Sequence, residues 1–346
     1  MAATAFLAVT LSCASSDPGG LTGTGGAGSG GRGTAGAGGG TTGTAGGGAT
    51  GTAGNGATGI AGTGVSTGTG GGSGAGRTAA DTCARWKGDR ANLGEGTWSG
   101  NVANCTVGDI SADGRANALR LFNMYRWFAD LPAVVTEASR DAQAQACALM
   151  MDANNMLSHD PPSTWLCYTD VGAMGAMTSN ISSGPGVSSV AGYMLDTGNE
   201  TTFGHRRIVL SNRLGPIGLG STSTGGASCM QNIGGTGTAN KMWVAWPPAG
   251  PFPIQAYGTG SRTLSATGWS VQTIRSIALT GATVTVTSGG ADKPMTMSQL
   301  TGTYGESNAI RLVPMGWNPA AGESYTVTVA GVSQPISYTI DFVDCP

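Results

Sequence analysis

The 346-residue chain has few charged side chains and only two histidines, and it lacks long hydrophobic runs. Charged residues make up 10% of it, against about a quarter in ordinary globular proteins, and the formal net charge is −2. Because so few lysines and arginines would neutralise few phosphates, we expect no nucleic-acid partner. No run of about 20 apolar residues occurs, so the sequence predicts no membrane-spanning helix.

The first residues have the pattern of an export signal. Residues 1–12 form a short apolar stretch that ends in small residues just before Cys13. Cys13 stands where a bacterial lipobox cysteine receives its lipid. We therefore predict an exported, lipid-anchored cell-surface protein, with residues 1–18 as the signal region and Cys13 as the lipidation site. The alternative is an ordinary cleaved signal peptide and an extracellular product.

A Gly-, Thr- and Ala-rich tract follows over residues 19–80, with Arg32 and Arg77 as its only charges. Large side chains are almost absent from it, so burial would not offset the entropy lost on ordering the backbone. We predict a disordered linker that spaces the folded part from a surface. The rest of the chain is expected to fold as two domains, residues 81–248 and 249–346.

Seven cysteines are present, and setting Cys13 aside leaves an even number. Six cysteines in an exported chain predict three disulfide bonds, with fifteen formal connectivities. We favour Cys83–Cys105, Cys147–Cys167 and Cys229–Cys345, mainly because the first two bonds close short loops. A zinc-binding cysteine cluster is disfavoured, since the sequence has no C-x-x-C pair.

Residues 81–248 show helical periodicity first and strand-like segments afterwards. Residues 115–130 place apolar side chains at helical spacing. A second helix is expected over residues 137–157, and its predicted buried stripe is Ala138, Ala142, Leu149, Ala153 and Met156. Shorter helices are predicted near residues 187–195 and after Gly204. Strand-like segments follow them at residues 215–221, 229–233 and 241–246. Helices followed by antiparallel strands indicate an α+β layered domain.

The proline-rich segment 246–253 is the best candidate for a domain boundary. Beyond it, β-branched runs at residues 277–287, 309–313, 324–329 and 336–342 are separated by Gly, Pro and Asn. This pattern is typical of a small all-β sandwich. The sandwich carries no cluster of acids, histidines or cysteines, so we expect a packing or spacing module, with adhesion to a surface polymer as the alternative.

Five short motifs occur in order between residues 112 and 248. They are Asn123-x-Tyr125-Arg126, Leu131-Pro132-Ala133-Val134, Leu157-Ser158-His159, Ser179-Asn180-Ile181 and Gly204-His205-Arg206. In order and spacing the set resembles the bacterial branch of the CAP superfamily, named after cysteine-rich secretory proteins, antigen 5 and plant pathogenesis-related proteins. The resemblance covers about 40% of the chain.

That resemblance implies an α-β-α sandwich with a cleft in which two histidines and two acidic residues converge. His159 and His205 fall on the histidine positions, and Asp196 stands near the second acidic position. Ser179 takes the first acidic position, so one carboxylate of the pattern is missing. The predicted cleft therefore comprises His159, Ser179, Asn180, Asp196, His205 and Arg206.

Imidazole nitrogens and a carboxylate are ligands of Zn²⁺, so His159, His205 and Asp196 are the candidate metal ligands. With so few ligands we expect weak binding of Zn²⁺ or another divalent cation, and no required cofactor. Such binding should fade below about pH 6 as the imidazoles become protonated. Arg206 and Arg207 are interpreted as a solvated helix face, with support of the cleft as the alternative.

The resemblance favours a binding or interaction module over an enzyme. We expect a monomer that binds a small or lipid-like ligand or a surface polymer, and that meets a membrane only through its lipid anchor. The alternative is a metal- or histidine-dependent peptidase or esterase, with His205 as general base and Asp196 orienting it. A convincing nucleophile is missing from the sequence, because the six cysteines look paired and no serine sits on a strand-to-helix elbow.

Overall fold

The computed structural model of the protein describes residues 76–222, 226–260 and 262–346, all within one compact unit. Cys13, the predicted signal region and nearly all of the predicted linker lie outside these residues. Ordered structure begins ahead of residue 81, in a helix capped by Thr78. The Thr78 hydroxyl accepts a hydrogen bond from the Asp81 backbone N–H at 3.1 Å, and the Asp81 carboxylate accepts one from the Thr78 N–H at 3.0 Å. This reciprocal cap satisfies two backbone donors that would otherwise be unpaired at the helix start.

The described helices precede most of the strands in chain order. They are α1 (Ala79–Arg90), α2 (Ala112–Phe128), α3 (Ala138–Asn154), α4 (Asp170–Met177), α5 (Gly186–Leu195), α6 (Gly204–Val209) and α7 (Leu264–Thr267). The predicted stripe of α2 is buried as expected, with Phe122 and Phe128 fully inside the core. Helix α4 was not foreseen, and it begins where the Thr169 side chain accepts a hydrogen bond from the Gly172 N–H at 3.0 Å.

A three-stranded antiparallel sheet lies among these helices, in the order β1 (Ser179–Ser182), β3 (Ser228–Gln231), β2 (Gly218–Ser221). Glycines in β2 let α3 approach the sheet closely. A Cβ on Gly220 would stand 2.2 Å from the Gln145 backbone nitrogen, nearer than atoms can pack. Leu219, which points to the opposite face, belongs to the main core with residues of α2 and α5. Helices therefore cover both faces of this sheet.

The remaining strands form two larger sheets and a short hairpin. One sheet has the order β10 (Ala291–Asp292), β9 (Thr283–Ser288), β13 (Ser324–Ala330), β14 (Ile336–Val343), β5 (Gly250–Pro253). The other has the order β11 (Met295–Gln299), β12 (Asn308–Pro314), β8 (Trp269–Thr273), β4 (Trp243–Trp246), and the hairpin pairs β6 (Gly258–Thr259) with β7 (Arg262–Thr263). The two sheets face each other, because the Trp269 ring contacts the rings of Tyr325 and Phe342.

The main core continues across the predicted boundary at residue 248. Strand β4 precedes that boundary but pairs with β8, bringing Trp246 opposite Ser270. Phe252 then contacts Phe128 of α2 on one side and Phe342 of β14 on the other. Mixed helices and sheets confirm the predicted α+β class. Among the described residues, the helices are too short or too polar to cross a membrane.

The six cysteines form three disulfide bonds, as predicted, but all three predicted pairings are wrong. The observed bonds are Cys83–Cys345, Cys105–Cys167 and Cys147–Cys229. Closeness in sequence misled the prediction, since each bond joins segments that only the tertiary fold brings together. Cys83–Cys345 ties α1 to the end of β14, and Cys147–Cys229 ties α3 to the sheet beneath it. Three disulfides indicate an oxidising, extracellular environment.

Candidate functional site

His205 is held by a buried carboxylate from the preceding turn. Asp196 ends α5 in the left-handed region, with φ 53°, and it is only 1% exposed. Its Oδ1 lies 2.9 Å from His205 Nδ1 and accepts a hydrogen bond from Asn199 Nδ2, while its Oδ2 accepts one from the Arg206 N–H. Because the carboxylate accepts three bonds, it fixes both the ring of His205 and the first turn of α6.

A second set of contacts fixes the His205 backbone and the face of its ring. The Tyr193 ring stacks at a tilt against the His205 ring, with 4.9 Å between centroids. Tyr193 Oη donates a hydrogen bond to the Asn180 carbonyl at 3.2 Å, and Asn180 Nδ2 donates to the His205 carbonyl at 3.3 Å. Asn180 of β1 therefore links α5 and α6, which is the role of a positioning residue.

His159 lies in the loop after α3 and is hydrogen-bonded to α4. Its Nδ1 lies 2.9 Å from the Ala176 carbonyl oxygen in the last turn of α4. A carbonyl only accepts, so Nδ1 carries the proton and Nε2 holds the lone pair in the neutral ring. His159 is exposed at the surface, but the protein atoms around the ring still desolvate it and lower its pKa. The charge of His205 acts in the same direction, while the bond to Ala176 opposes both. This influence on the pKa is what relates the His159 ring to His205.

Asp196 is engaged by its three donors rather than standing free as a third metal ligand. Within the residues that the structure describes, no three His, Cys, Asp or Glu side chains come together as a metal-binding group. The six cysteines of this part are all disulfide-bonded. A divalent cation would therefore depend on the two imidazoles and water, fewer protein ligands than the three of catalytic zinc sites.

Ser179 lies on a different side of β1 from Asn180. Strand side chains alternate, so Ser179 shares its face with Ile181, which packs against Ala144 and Cys147 of α3. The Ser179 hydroxyl is fully buried and has no hydrogen-bond partner among the described residues. Among the predicted cleft residues, hydrogen bonds thus join Asn180, Asp196, His205 and Arg206. His159 is bonded to α4 instead, and Ser179 lies on the α3 side of β1.

The interpretation of Arg206 and Arg207 as a solvated helix face is wrong. Arg206 is 0% and Arg207 1% exposed. Arg206 donates to the carbonyls of Met194, Leu195 and Gly268 at 2.7–2.9 Å, which fastens α6 to the end of α5 and to the turn before β8. Burial lowers the pKa of Arg206 to about 10, and Asp196 opposes that shift, so the side chain stays charged at neutral pH.

Arg207 fastens α6 to the loop of residues 300–306, which sequence reasoning did not connect with the site. Its guanidinium donates to four carbonyls, those of Thr202, Thr301, Gly302 and Glu306, at 2.9–3.3 Å. The Thr301 N–H also donates to the Thr201 carbonyl at 2.9 Å. Two adjacent arginines in a segment otherwise poor in basic residues were the only sequence signal of this anchor.

Comparison with known proteins adds no assignment. No protein-family model matches the sequence, and no curated protein or solved structure matches it. The function is therefore inferred from the two histidines and from the residues that hold them.

Proposed function

We propose that the chain is an exported binding protein of CAP type, which binds its ligand at the cleft of His159 and His205. The ordered sequence motifs support this proposal, as do helices on both faces of a three-stranded sheet. Three disulfides in the described part fit an extracellular location. Cell-surface anchoring through Cys13 belongs to the same proposal. Labelling with a palmitate analogue should mark the wild type and fail in Cys13→Ala, and retained labelling would reject Cys13 as the lipid site.

The observation that carries the proposal is how the two rings are held. His159 Nδ1 is bonded to a backbone carbonyl, and His205 Nδ1 to a buried carboxylate. Histidines that bind metals or ligands are commonly fixed in this manner through one nitrogen, which presents the other nitrogen to the ligand. Both Nε2 atoms are thus prepared to accept a hydrogen bond from a small or extended ligand, or to coordinate a cation.

Weak, exchangeable binding of a divalent cation follows from this arrangement. Two neutral imidazoles offer borderline-soft nitrogen ligands suited to Zn²⁺, and water would complete the coordination. The lowered pKa of His159 keeps this ring neutral to a lower pH than a free histidine, which favours coordination. Protonation of the rings on acidification would release the cation.

Calorimetric titration with ZnCl₂ tests the proposal on the wild type and on His159→Ala, His205→Ala and the double variant. The wild type should bind one ion, and each single variant should lose most of the heat because one imidazole cannot hold the ion. Asp170→Asn, which removes an exposed carboxylate, is the matched control and should titrate like the wild type. Equal heats in the wild type and the double variant would end the metal part of the proposal.

Ligand binding without metal is tested on the ring signals themselves. The chain has only two histidines, so their Hε1 resonances are easily assigned by NMR with the two single variants. A fatty-acid probe, added in the presence of a chelator, should shift both resonances if the cleft is the binding site. Binding of the probe with neither resonance shifted would place its site elsewhere and reject the cleft.

The Asp196–His205 pair favours a histidine-dependent hydrolase as the second candidate. A carboxylate 2.9 Å from Nδ1 orients the ring and stabilises its protonated form, as in known base–orienter pairs. Water would be the attacking group, because the cysteines of the described part are bonded and Ser179 lies on the other face of β1. Turnover of ester or peptide substrates that is lost in His205→Gln would support this candidate, whereas turnover that survives the substitution would reject it.

A further inference from the structure

Large hydrophobic side chains are exposed on one restricted part of the molecule. Of the nine that stand out as exposed among the described residues, five fall between residues 156 and 177. These five, which we call the methionine face, are Met156, Leu166, Val171, Met174 and Met177, with exposures of 46–66%. Scattered single hydrophobics are normal on a protein surface, but a concentration such as this one usually marks an interaction site.

Helix α4 supplies three of the five side chains. Val171, Met174 and Met177 recur every three residues and point outward, whereas Gly172 and Gly175 face α3. A Cβ on Gly175 would stand 2.2 Å from the Gln143 carbonyl oxygen, so α4 lies directly against α3. That close packing fixes the outward direction of the three apolar side chains.

The other two side chains are held beside the end of α3. Asn154 Oδ1 accepts a hydrogen bond from the Leu166 N–H at 3.1 Å, and its Nδ2 donates to the Leu166 carbonyl at 3.0 Å. Met156 follows Asn154 by two residues, and His159 then contacts the Ala176 carbonyl in α4. All five residues therefore lie on α4 or on the segment between α3 and α4, which these bonds hold against the two helices.

The segment that carries the methionine face has acidic residues and no basic ones. No lysine or arginine occurs between Arg140 and Arg206, whereas the same segment contains Asp152, Asp160 and Asp170. Arg140, at the far end of α3, is paired with Glu137 at 3.6 Å and donates to the Ile233 carbonyl. Asp160 and Asp170 are exposed, and Asp170 directly precedes Val171, so exposed carboxylates follow the apolar side chains along this segment.

We propose that the methionine face docks a cationic amphipathic segment of a partner protein. Basic side chains of such a segment complement the aspartates, and its apolar side chains cover the methionines. Methionine suits this role because its unbranched, polarisable side chain adapts to the shape of the partner. An anionic membrane surface is the poorer occupant, since the aspartates would be repelled by it. This docking surface is additional to the two-histidine cleft and does not depend on the function proposed for that cleft.

The probe for the test is a dye-labelled synthetic helix of leucine and lysine, about 18 residues or five turns long. Its charge-reversed counterpart contains leucine and glutamate. Fluorescence anisotropy with the full chain should show saturable binding of the lysine peptide and little binding of the glutamate peptide. The double variant Met174→Gln/Met177→Gln should bind the lysine peptide with about tenfold lower affinity, because two apolar contacts are lost. Both positions are exposed, so the substitutions should leave the fold intact.

Matched variants separate this surface from general adhesion. Met315→Gln replaces a methionine of similar exposure, 53%, on the all-β part and should leave the affinity unchanged. Asp170→Asn should weaken binding at low salt and leave it nearly unchanged at high salt, where the charge is screened. Equal binding of both peptides, or an equal loss in Met315→Gln, would overturn the proposal. Binding to vesicles with anionic lipid but not to the lysine peptide would overturn it in favour of a membrane.

Discussion

Replacing Arg207 tests whether the 300–306 loop anchors the helix that carries His205. Arg207→Met keeps much of the side-chain volume but removes the donors to the carbonyls of Thr202, Thr301, Gly302 and Glu306. The variant therefore isolates the hydrogen bonds from the packing. Those four carbonyls would then lie at a largely buried position without their partner.

The expected loss follows from the number of bonds and from the cost of burying the charge. Four bonds at about 1 kcal/mol net each amount to roughly 4 kcal/mol. Burial also lowers the pKa of Arg207 to about 10, which shows that the charged form is held at a cost, and removal of the charge recovers part of that cost. We expect a net decrease in the free energy of unfolding of about 2–3 kcal/mol.

Two assays are needed, because a stability loss alone would not link Arg207 to the site. Denaturant unfolding gives the free energy, and the NMR resonance of the His205 ring reports its environment. Arg213→Ala, an exposed arginine on the loop after α6, is the control and should change stability by less than about 0.5 kcal/mol. The anchoring role would be refuted if Arg207→Met lowered the free energy of unfolding no more than the control does and left the His205 resonance unshifted.

Three further predictions concern the disulfides, the sheet and acid stability. Cys83→Ser/Cys345→Ser removes a disulfide bond between residues 262 positions apart. Because that bond restricts the conformational freedom of the unfolded chain, its loss should lower the unfolding free energy by about 5 kcal/mol in denaturant titrations. A negligible change would refute this reasoning. Gly220→Ala should lower the free energy of unfolding by at least about 2 kcal/mol, because the added Cβ would collide with α3. Gly192→Ala, with open space around it, should leave that free energy unchanged or raise it. A larger loss in Gly192→Ala than in Gly220→Ala would contradict the packing described. The folded state lowers the pKa of His159, so its contribution to stability is present above the unfolded value of about 6.5 and declines as the pH falls through it. His159→Gln should therefore unfold with a shallower pH dependence below pH 6.5, and identical profiles would argue against a lowered pKa.

Periodicity in the sequence located α2 well but misplaced the buried side of α3. In α2 the large side chains Leu121, Phe122 and Phe128 contrast sharply with their polar neighbours, and all three are buried. In α3 small alanines occur on every side, so spacing does not distinguish the faces. The expected stripe included Met156, which is exposed, whereas Cys147 and Met151 are in fact buried.

Long-range contacts are the part of the structure that the sequence pattern did not predict. Cys345 pairs with Cys83 rather than Cys229 because β14 runs beside β5, which contacts α1. Arg207 looked like a surface residue because its partners are backbone carbonyls of a loop nearly 100 positions away. Every residue has a backbone carbonyl, so the sequence does not show which arginines have carbonyl partners. An arginine that is buried by such partners is therefore easily mistaken for a surface residue.

The central claim is that His159 and His205 face one shared cleft, and the pKa of His159 tests it most directly. In His205→Gln a single histidine remains, so its Hε1 resonance can be followed through a pH titration without ambiguity. Removing the charge of His205 should raise the pKa of His159, because that charge contributes to lowering it in the wild type. An unchanged pKa, in a variant whose other resonances show an intact fold, would mean that the rings do not interact and would contradict the shared cleft.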